Sequence, residues 1–209
     1  MTVDEEARPA DSLRRVMRLP AEQRRVQLLE VACDMFAERG FHATSMEDVA
    51  NAAGVTKPVL YQHFRSKRAL YHELLELVGG ELLAELGRAT SAASSGREQV
   101  ERGLTAYFRW VATNPNSFRL MFGASVRNDR EVAAIVDATL AAAVRAVEPL
   151  IDIAISGDQR QVLAGAIVGL AESTSRRALA DGGILDDPEH LAAWLAELLW
   201  FGLRGVRAG

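Results

Sequence analysis

The stretch that decides the fold covers residues 45–64 and reads SMEDVANAAGVTKPVLYQHF. Ser45, followed three residues later by Asp48, forms the pattern of a capping box and begins a short helix. Gly54 interrupts that helix, and Thr56 caps another. The stretch therefore predicts two short helices separated by a tight turn.

Apolar residues within this stretch are spaced so that the two helices pack against each other across the turn. Val49 and Ala50 belong to the first helix, and Val55 and Leu60 face them from the turn and the second helix. Alanine at position 50 lets the helices cross closely. This arrangement is that of a helix-turn-helix, whose second helix lies in the major groove of DNA.

The outward face of the second helix carries side chains that suit DNA. Lys57 can donate to guanine or to phosphate, and Pro58 and Val59 offer apolar surface of the kind that meets a thymine methyl group. Tyr61 and His63 can reach backbone phosphates. The predicted DNA-contacting residues are Ser45, Thr56, Lys57, Pro58, Val59, Tyr61, His63 and Lys67.

Charge is distributed unevenly along the chain. Residues 12–68 carry ten basic against six acidic side chains, whereas residues 69–209 carry thirteen against eighteen, and the whole chain has a net charge of −4. A basic segment joined to an acidic remainder indicates two roles in one chain.

Composition narrows the class of protein. The 209 residues are 49% hydrophobic and 25% charged, as expected for a globular protein. Cys33 is the single cysteine, which excludes an internal disulfide and favours a buried structural thiol in a reducing cytoplasm. The longest apolar run, residues 162–171, is about half a bilayer span, so no membrane partner is expected. The sequence predicts a cytoplasmic protein.

Catalytic and metal-binding patterns are not apparent. The four histidines lack the spacing of metal ligands, and the sequence contains no P-loop, dinucleotide fingerprint or nucleophile elbow. We therefore expect neither an enzyme nor a bound cofactor or metal.

Apolar residues recur at three and four positions through the rest of the chain, which predicts helices and no strand. Two adjacent glycines, Gly79 and Gly80, fall inside a helix that starts at Lys67 and reaches about Arg88, and they predict a bend, a break or a very close helix contact. Further helices are predicted over about 97–113, 116–123, 129–156 (with a kink at Pro149), 158–181 and 188–205.

These motifs resemble the TetR family of one-component bacterial transcriptional regulators over about residues 24–75. Pro58 departs from the family, in which glycine or alanine is more frequent at this position. The resemblance implies a homodimer with two DNA-binding domains and an all-helical ligand-sensing core. It rests on Phe41, Thr44-Ser45, Asp48-Val49-Ala50, Ala53-Gly54-Val55, Leu60-Tyr61-x-His63-Phe64 and Ser66-Lys67-x-x-Leu70.

The expected fold is all-α with about nine helices. Residues 1–19 are predicted to be a mobile arm, and residues 20–80 a three-helix DNA-binding domain with the first part of a long connecting helix. Residues 81–209 are predicted to form a helical domain for ligand binding and dimerisation.

Aromatic and soft side chains concentrate within sixteen residues of the second domain. They are typical of a plain core, and as a group they also suit the wall of an apolar ligand cavity. The predicted ligand-binding residues are Tyr107, Trp110, Phe118, Met121 and Phe122. Glu172 and Arg176 can supply polar contacts, although their spacing favours a simple ion pair along one helix.

The last two helices predict a dimer interface. Gly165 and Gly169 permit close approach of another helix, and the final helix carries a wider apolar surface than a monomer needs, including Trp194, Leu198 and Phe201. A symmetric dimer predicts a palindromic operator.

The functional expectation is a sequence-specific DNA-binding regulator, most simply a repressor released by a small apolar ligand. An activator and a repressor without a ligand fit the same sequence. From a different class, a helical ligand-binding or enzymatic module remains open, in which the helix-turn-helix serves only for packing. Strong salt dependence and operator preference would distinguish the regulator.

Overall fold

The protein is all-helical in the part that the computed structural model describes, residues 20–123, 130–151, 153–181 and 187–203. This confirms the predicted fold class, and the predicted arm, residues 1–19, lies outside the described residues. The helices are α1 (Ala21–Ala43), α2 (Met46–Ala52), α3 (Lys57–His63), α4 (Lys67–Ser91), α5 (Gly96–Thr113), α6 (Pro115–Phe122), α7 (Arg130–Val147), α8 (Gly157–Asp181) and α9 (Pro188–Leu203).

Glycine and capping residues set the boundaries of the first three helices. Gly40, with a φ of 81°, interrupts the helical backbone of α1 three residues before the helix ends. The capping box at the start of α2 is confirmed, since the Ser45 side chain and the Asp48 side chain each bond the other's backbone N–H. Thr56 precedes α3 as its N-cap, but its side chain makes no capping hydrogen bond, so that detail was wrong.

The long helix α4 is continuous through its two glycines. A Cβ atom added at Gly79 would lie 2.8 Å from Oγ1 of Thr139 in α7, whereas one added at Gly80 would meet nothing within 4 Å. Of the three outcomes predicted for the glycine pair, the structure therefore shows the close helix contact.

One predicted helix ends early. We expected residues 129–156 to form a single kinked helix, but α7 ends at Val147, a single 3-10 turn covers Glu148–Leu150, and residues 153–156 are not helical. Pro149 explains the difference, because proline lacks a backbone N–H and clashes with the preceding helical turn. The chain that follows leads into α8.

Packing divides the helices into two groups that meet at α4 and α6. α2 contacts both α1 and α3, and α1 also contacts α4 and α6. In the second group, α5 packs on α4 and α9, and α7 packs on α4 and α8. α6 thus lies between α1 and the helices of the second group, since it contacts α1, α4 and α5.

Candidate DNA interface and ligand cavity

Helix α3 is anchored by one buried face and exposes the other. Leu60 is fully buried and Phe64 is 2% exposed, so the two hold the helix against the core. Tyr61 is 44% exposed, and the side chain of Lys57 is 53% exposed. Of the predicted DNA-contacting residues, the structure leaves five exposed and three half-buried: exposed Ser45, Thr56, Lys57, Pro58 and Tyr61, and half-buried Val59, His63 and Lys67.

An ion pair links the exposed face of α3 to α2. Lys57 Nζ lies 3.6 Å from Glu47 Oε2, and both side chains are more than half exposed. Ion pairs this exposed contribute little to stability. The pair therefore adds little to hold Lys57 in place, and a DNA contact by Lys57 remains a prediction.

Lys67 makes contacts that the sequence did not reveal. Its Nζ donates to the Phe41 carbonyl oxygen at 2.7 Å and lies 4.5 Å from the centroid of the Phe41 ring. Partial burial lowers the pKa of Lys67. These contacts fasten the start of α4 to the end of α1, and any DNA contact by Lys67 remains a prediction.

Arg25 of α1 contacts the carboxyl end of α3. Its guanidinium donates to both oxygens of Glu73 in α4 at 2.6 Å and to the His63 carbonyl oxygen at 2.8 Å. The same group lies 4.5 Å from the centroid of the Phe64 ring. Arg25 therefore connects α1, the end of α3 and α4, and it keeps α3 in a fixed orientation.

The second group of helices encloses a cavity of about 440 Å³. Its wall is formed mainly by α4, α5, α7 and α8, and five residues from outside these helices complete it: Phe122, Leu150, Ile151, Ile153 and Trp200. The α5 positions Gly96, Gln99, Val100, Gly103, Leu104 and Tyr107 follow the spacing of one helix face. Since Gly96 and Tyr107 are eleven residues apart at 1.5 Å per residue, the cavity extends about 16 Å along α5.

The cavity wall is overwhelmingly apolar. Glu172 is the one charged side chain among its described lining residues, and it pairs with Arg176, as the four-residue spacing predicted. Burial raises the pKa of Tyr107. The Ser175 hydroxyl lies near the Tyr107 hydroxyl and opposes that rise. Both hydroxyls are buried, and neither makes a hydrogen bond of standard geometry with the described residues. This composition suits an apolar molecule with few polar groups.

The predicted ligand-binding residues are divided by the structure. Tyr107 and Phe122 line the cavity, and Met121 lines a smaller neighbouring cavity of about 240 Å³ together with Phe122. Trp110 and Phe118 are buried in the core and line neither cavity. Most of the wall is aliphatic. The alanine-rich face of α7 is the sequence feature that could have indicated this wall, and the prediction did not use it.

The predicted dimer residues lie on open surfaces of α8 and α9. Trp194, Leu198 and Phe201 are 61%, 60% and 65% exposed. Cβ atoms added at Gly165 or Gly169 would meet nothing within 4 Å, so another helix can approach these positions closely. Val162 of α8, 70% exposed, extends the apolar surface and was not among the predicted residues.

Within the described ranges, the side chains of His, Cys, Asp and Glu do not gather in groups of three or more that could hold a metal ion. In the same part of the chain, no helix combines the length and apolar character needed to cross a membrane.

Family models match both groups of helices. Residues 28–74 match "Bacterial regulatory proteins, tetR family", and residues 97–202 match "Tetracyclin repressor-like, C-terminal domain". The first match ends within α4 and the second begins within α5, so the carboxyl-terminal part of α4 lies between them.

Known proteins resemble the chain over different lengths. The HTH-type transcriptional activator FasR of Mycolicibacterium smegmatis is 32% identical over 96% of this chain and 92% of its own length. The HTH-type transcriptional repressor KstR2 of Mycobacterium tuberculosis is 52% identical, but over only 25% of this chain and 26% of its own length. A TetR-like transcriptional regulator from Rhodococcus sp. RHA1 has a crystal structure that aligns with a TM-score of 0.74 and 28% identity, covering 90% of this chain and all of that one.

Proposed function

Because this chain belongs to the TetR family of DNA-binding transcriptional regulators, we propose that it acts as a homodimer that leaves a palindromic operator when an apolar ligand fills its cavity. The observation that carries the proposal is the apolar cavity of about 440 Å³ in the same chain as an exposed recognition helix. Family membership favours a regulator over an enzymatic or purely ligand-binding module.

The DNA-reading part of the proposal assigns base contacts to α3. Lys57 donates to a guanine edge or a phosphate, and Tyr61 reaches a phosphate of the same groove. Pro58 and Val59 supply the apolar surface for a thymine methyl group. Ser45, Thr56, His63 and Lys67 are proposed as flanking contacts.

The dimer is proposed to form through α8 and α9. Trp194, Leu198 and Phe201 expose a continuous apolar surface that a partner would bury. A two-fold dimer presents its recognition helices to two half-sites related by the same symmetry, which is why the operator is proposed to be palindromic.

The ligand is proposed to act by shifting a population between two arrangements of the dimer. A molecule in the cavity favours the arrangement in which the recognition helices no longer match adjacent major grooves. The shift can be no larger than the difference in ligand affinity between the two arrangements.

The sign of regulation follows from where the operator lies. Release from an operator that overlaps a promoter relieves repression, and release from one upstream removes activation. FasR, which matches 96% of the chain, is named an activator. KstR2 of Mycobacterium tuberculosis, which matches only 25% of the chain, is named a repressor. We retain repression as the simplest form of the proposal.

Selection of binding sites from a random DNA pool tests this function. We expect an inverted repeat whose half-sites lie about 10 base pairs apart, or a multiple of that spacing. Apolar molecules that bind the wild-type protein should then release the selected DNA. Val100→Trp, which fills the cavity, should abolish release while binding DNA normally, and Val26→Trp, at an exposed position of α1, is the matched control.

Each part of the function can fail separately in this experiment. A pool with no enriched sequence contradicts specific DNA binding. An enriched site without a repeat contradicts the dimer. A Val100→Trp protein that still releases DNA on addition of the ligand contradicts the assignment of the cavity.

A further inference from the structure

Side-chain hydrogen bonds join α6 to α1 and to α4. Asn116 Nδ2 donates to Asp34 Oδ1 in α1 at 2.9 Å. The Tyr71 hydroxyl in α4 donates to the Leu120 carbonyl oxygen at 3.2 Å in a buried environment. A displacement of α6 therefore changes contacts with both α1 and α4.

Arg176 of α8 holds the carboxyl end of α6. Its Nη1 donates to the Phe122 carbonyl oxygen at 2.9 Å, and its Nη2 pairs with the Glu172 carboxylate. The Phe122 carbonyl is one of the last four of α6, which have no partner within their own helix. A charged donor makes a stronger hydrogen bond to such a carbonyl than a neutral one does.

Both partners of Arg176 also form part of the cavity wall. Glu172 and Phe122 line the large cavity and the smaller one beside it, and Arg176 lines only the smaller one. The side chains of Arg176 and Glu172 are 38% and 22% exposed, so the pair is partly shielded from water. An occupant of the large cavity touches the two groups that Arg176 connects, without needing to touch Arg176.

We propose that Arg176 is a positioning residue that sets the place of α6, so that cavity occupancy reaches the helix-turn-helix through the bond between Arg176 and Phe122. This inference rests on the proposed function for its consequence at DNA. The positioning of α6 is a property of the free protein and can be measured without DNA.

The test compares Arg176→Gln, Arg176→Lys and the wild type, with Arg109→Gln as the matched control. Arg109 pairs with Glu189 between α5 and α9 and is an exposed arginine of the same domain. Two quantities are measured for each protein: amide hydrogen exchange along α1 and α6, and the dissociation constants for the selected operator and for unrelated DNA.

Arg176→Gln is expected to speed exchange in the last turn of α6 and in α1 near Asp34 by about tenfold or more, because the Phe122 carbonyl loses a charge-assisted partner. Its operator affinity should change by about tenfold while its affinity for unrelated DNA stays within about twofold, since the phosphate contacts are untouched. Arg176→Lys keeps the positive charge, so its hydrogen exchange and its operator affinity should both lie close to the wild-type values. Arg109→Gln should leave both at the wild-type values.

Several results would overturn the inference. Unchanged exchange in α6 of Arg176→Gln means that the arginine does not hold the helix. Faster exchange with unchanged operator affinity means that α6 does not set the position of α3. Equal losses for operator and unrelated DNA, or an equal effect of Arg109→Gln, mean a general structural role. If the wild type prefers no sequence, the proposed function fails, and the exchange data alone decide whether Arg176 positions α6.

Discussion

The helix-turn-helix region and the region of α5–α9 use apolar residues in opposite ways. In the first region, Leu28, Val49 and Leu60 are fully buried, and α3 exposes mainly polar groups. In the second region, aliphatic side chains surround a cavity, and α9 exposes Trp194 and Phe201. The first region is therefore complete within one chain, whereas the second has apolar surface left over for a ligand and a partner.

The same apolar pattern in the sequence therefore leads to different positions in the two regions. An apolar stripe in α1–α3 corresponds mainly to core, and Val26 and Tyr61 are the large apolar side chains of these described helices that stay exposed. A stripe in α5–α9 has three possible destinations: core, cavity wall or outer surface. The following predictions test whether the two regions differ in this way.

Charges on the outer face of α9 should produce the largest effect. Leu198→Glu together with Phe201→Glu is expected to raise the dimer dissociation constant by about 100-fold or more, because buried apolar side chains dominate such interfaces. Helix content should stay unchanged, since both side chains are 60% exposed or more within one chain. Sedimentation velocity measures the association. Val26→Glu, at an exposed apolar residue of α1, is the control and should not change it.

Enlarging an alanine should separate the two regions. Ala32→Leu, in the fully buried core of α1, should lower the free energy of unfolding by about 1–3 kcal/mol through overpacking. Ala143→Leu extends into the apolar cavity and should not lower the free energy of unfolding. Denaturant unfolding followed by circular dichroism measures both. Equal losses would mean that the cavity region is packed like the core.

The two glycines of α4 offer a finer contrast. Gly80→Ala should raise the free energy of unfolding by about 0.4–1 kcal/mol, because alanine favours the helix and nothing lies within 4 Å of the new Cβ. Gly79→Ala should give no gain, because its Cβ would lie 2.8 Å from Thr139 Oγ1 and the two helices would have to separate. Thermal unfolding measures the pair. A gain at Gly79 equal to that at Gly80 would contradict the close contact of α4 and α7.

The thiol of Cys33 should show the smallest effect. Burial raises the pKa of Cys33, and the nearby Asp34 and Glu81 add to the rise, although a hydrogen bond with Ser117 opposes it. Since the thiolate is the reactive form, alkylation by iodoacetamide at pH 8 should be slower than for glutathione. A raised pKa in the folded state also means that its contribution to stability is lost as the pH rises above the ordinary thiol pKa. Alkylation as fast as that of glutathione would contradict burial of the thiol.

The sequence predicted the first region in more detail than the second, for physical reasons. A capping box acts on its immediate neighbours, so Ser45 and Asp48 marked the start of α2 correctly. The missing capping bond at Thr56 depends on a rotamer, which a sequence does not specify.

Prediction of the cavity failed where it depended on distant helices. Trp110 and Phe118 have the same apolar character as Tyr107 and Phe122, but only the latter two line the large cavity. Which aromatic ring faces a cavity depends on the crossing of α4, α5 and α7, and no local pattern encodes that. The contacts of Arg176 and Lys67 with backbone carbonyls were missed for the same reason.

The central claim is that the exposed face of α3 makes the sequence-specific contacts with DNA, whereas Ser45 and Lys67 only flank them. The most direct measurement is a titration of the selected operator and a scrambled duplex at several salt concentrations, using the wild type and Lys57→Ala/Tyr61→Ala. Arg88→Ala, an exposed arginine near the far end of α4, controls for loss of one positive charge. The account predicts that the double variant loses operator preference and about one unit of salt slope while remaining folded. A double variant that keeps the wild-type preference for the operator would contradict the claim.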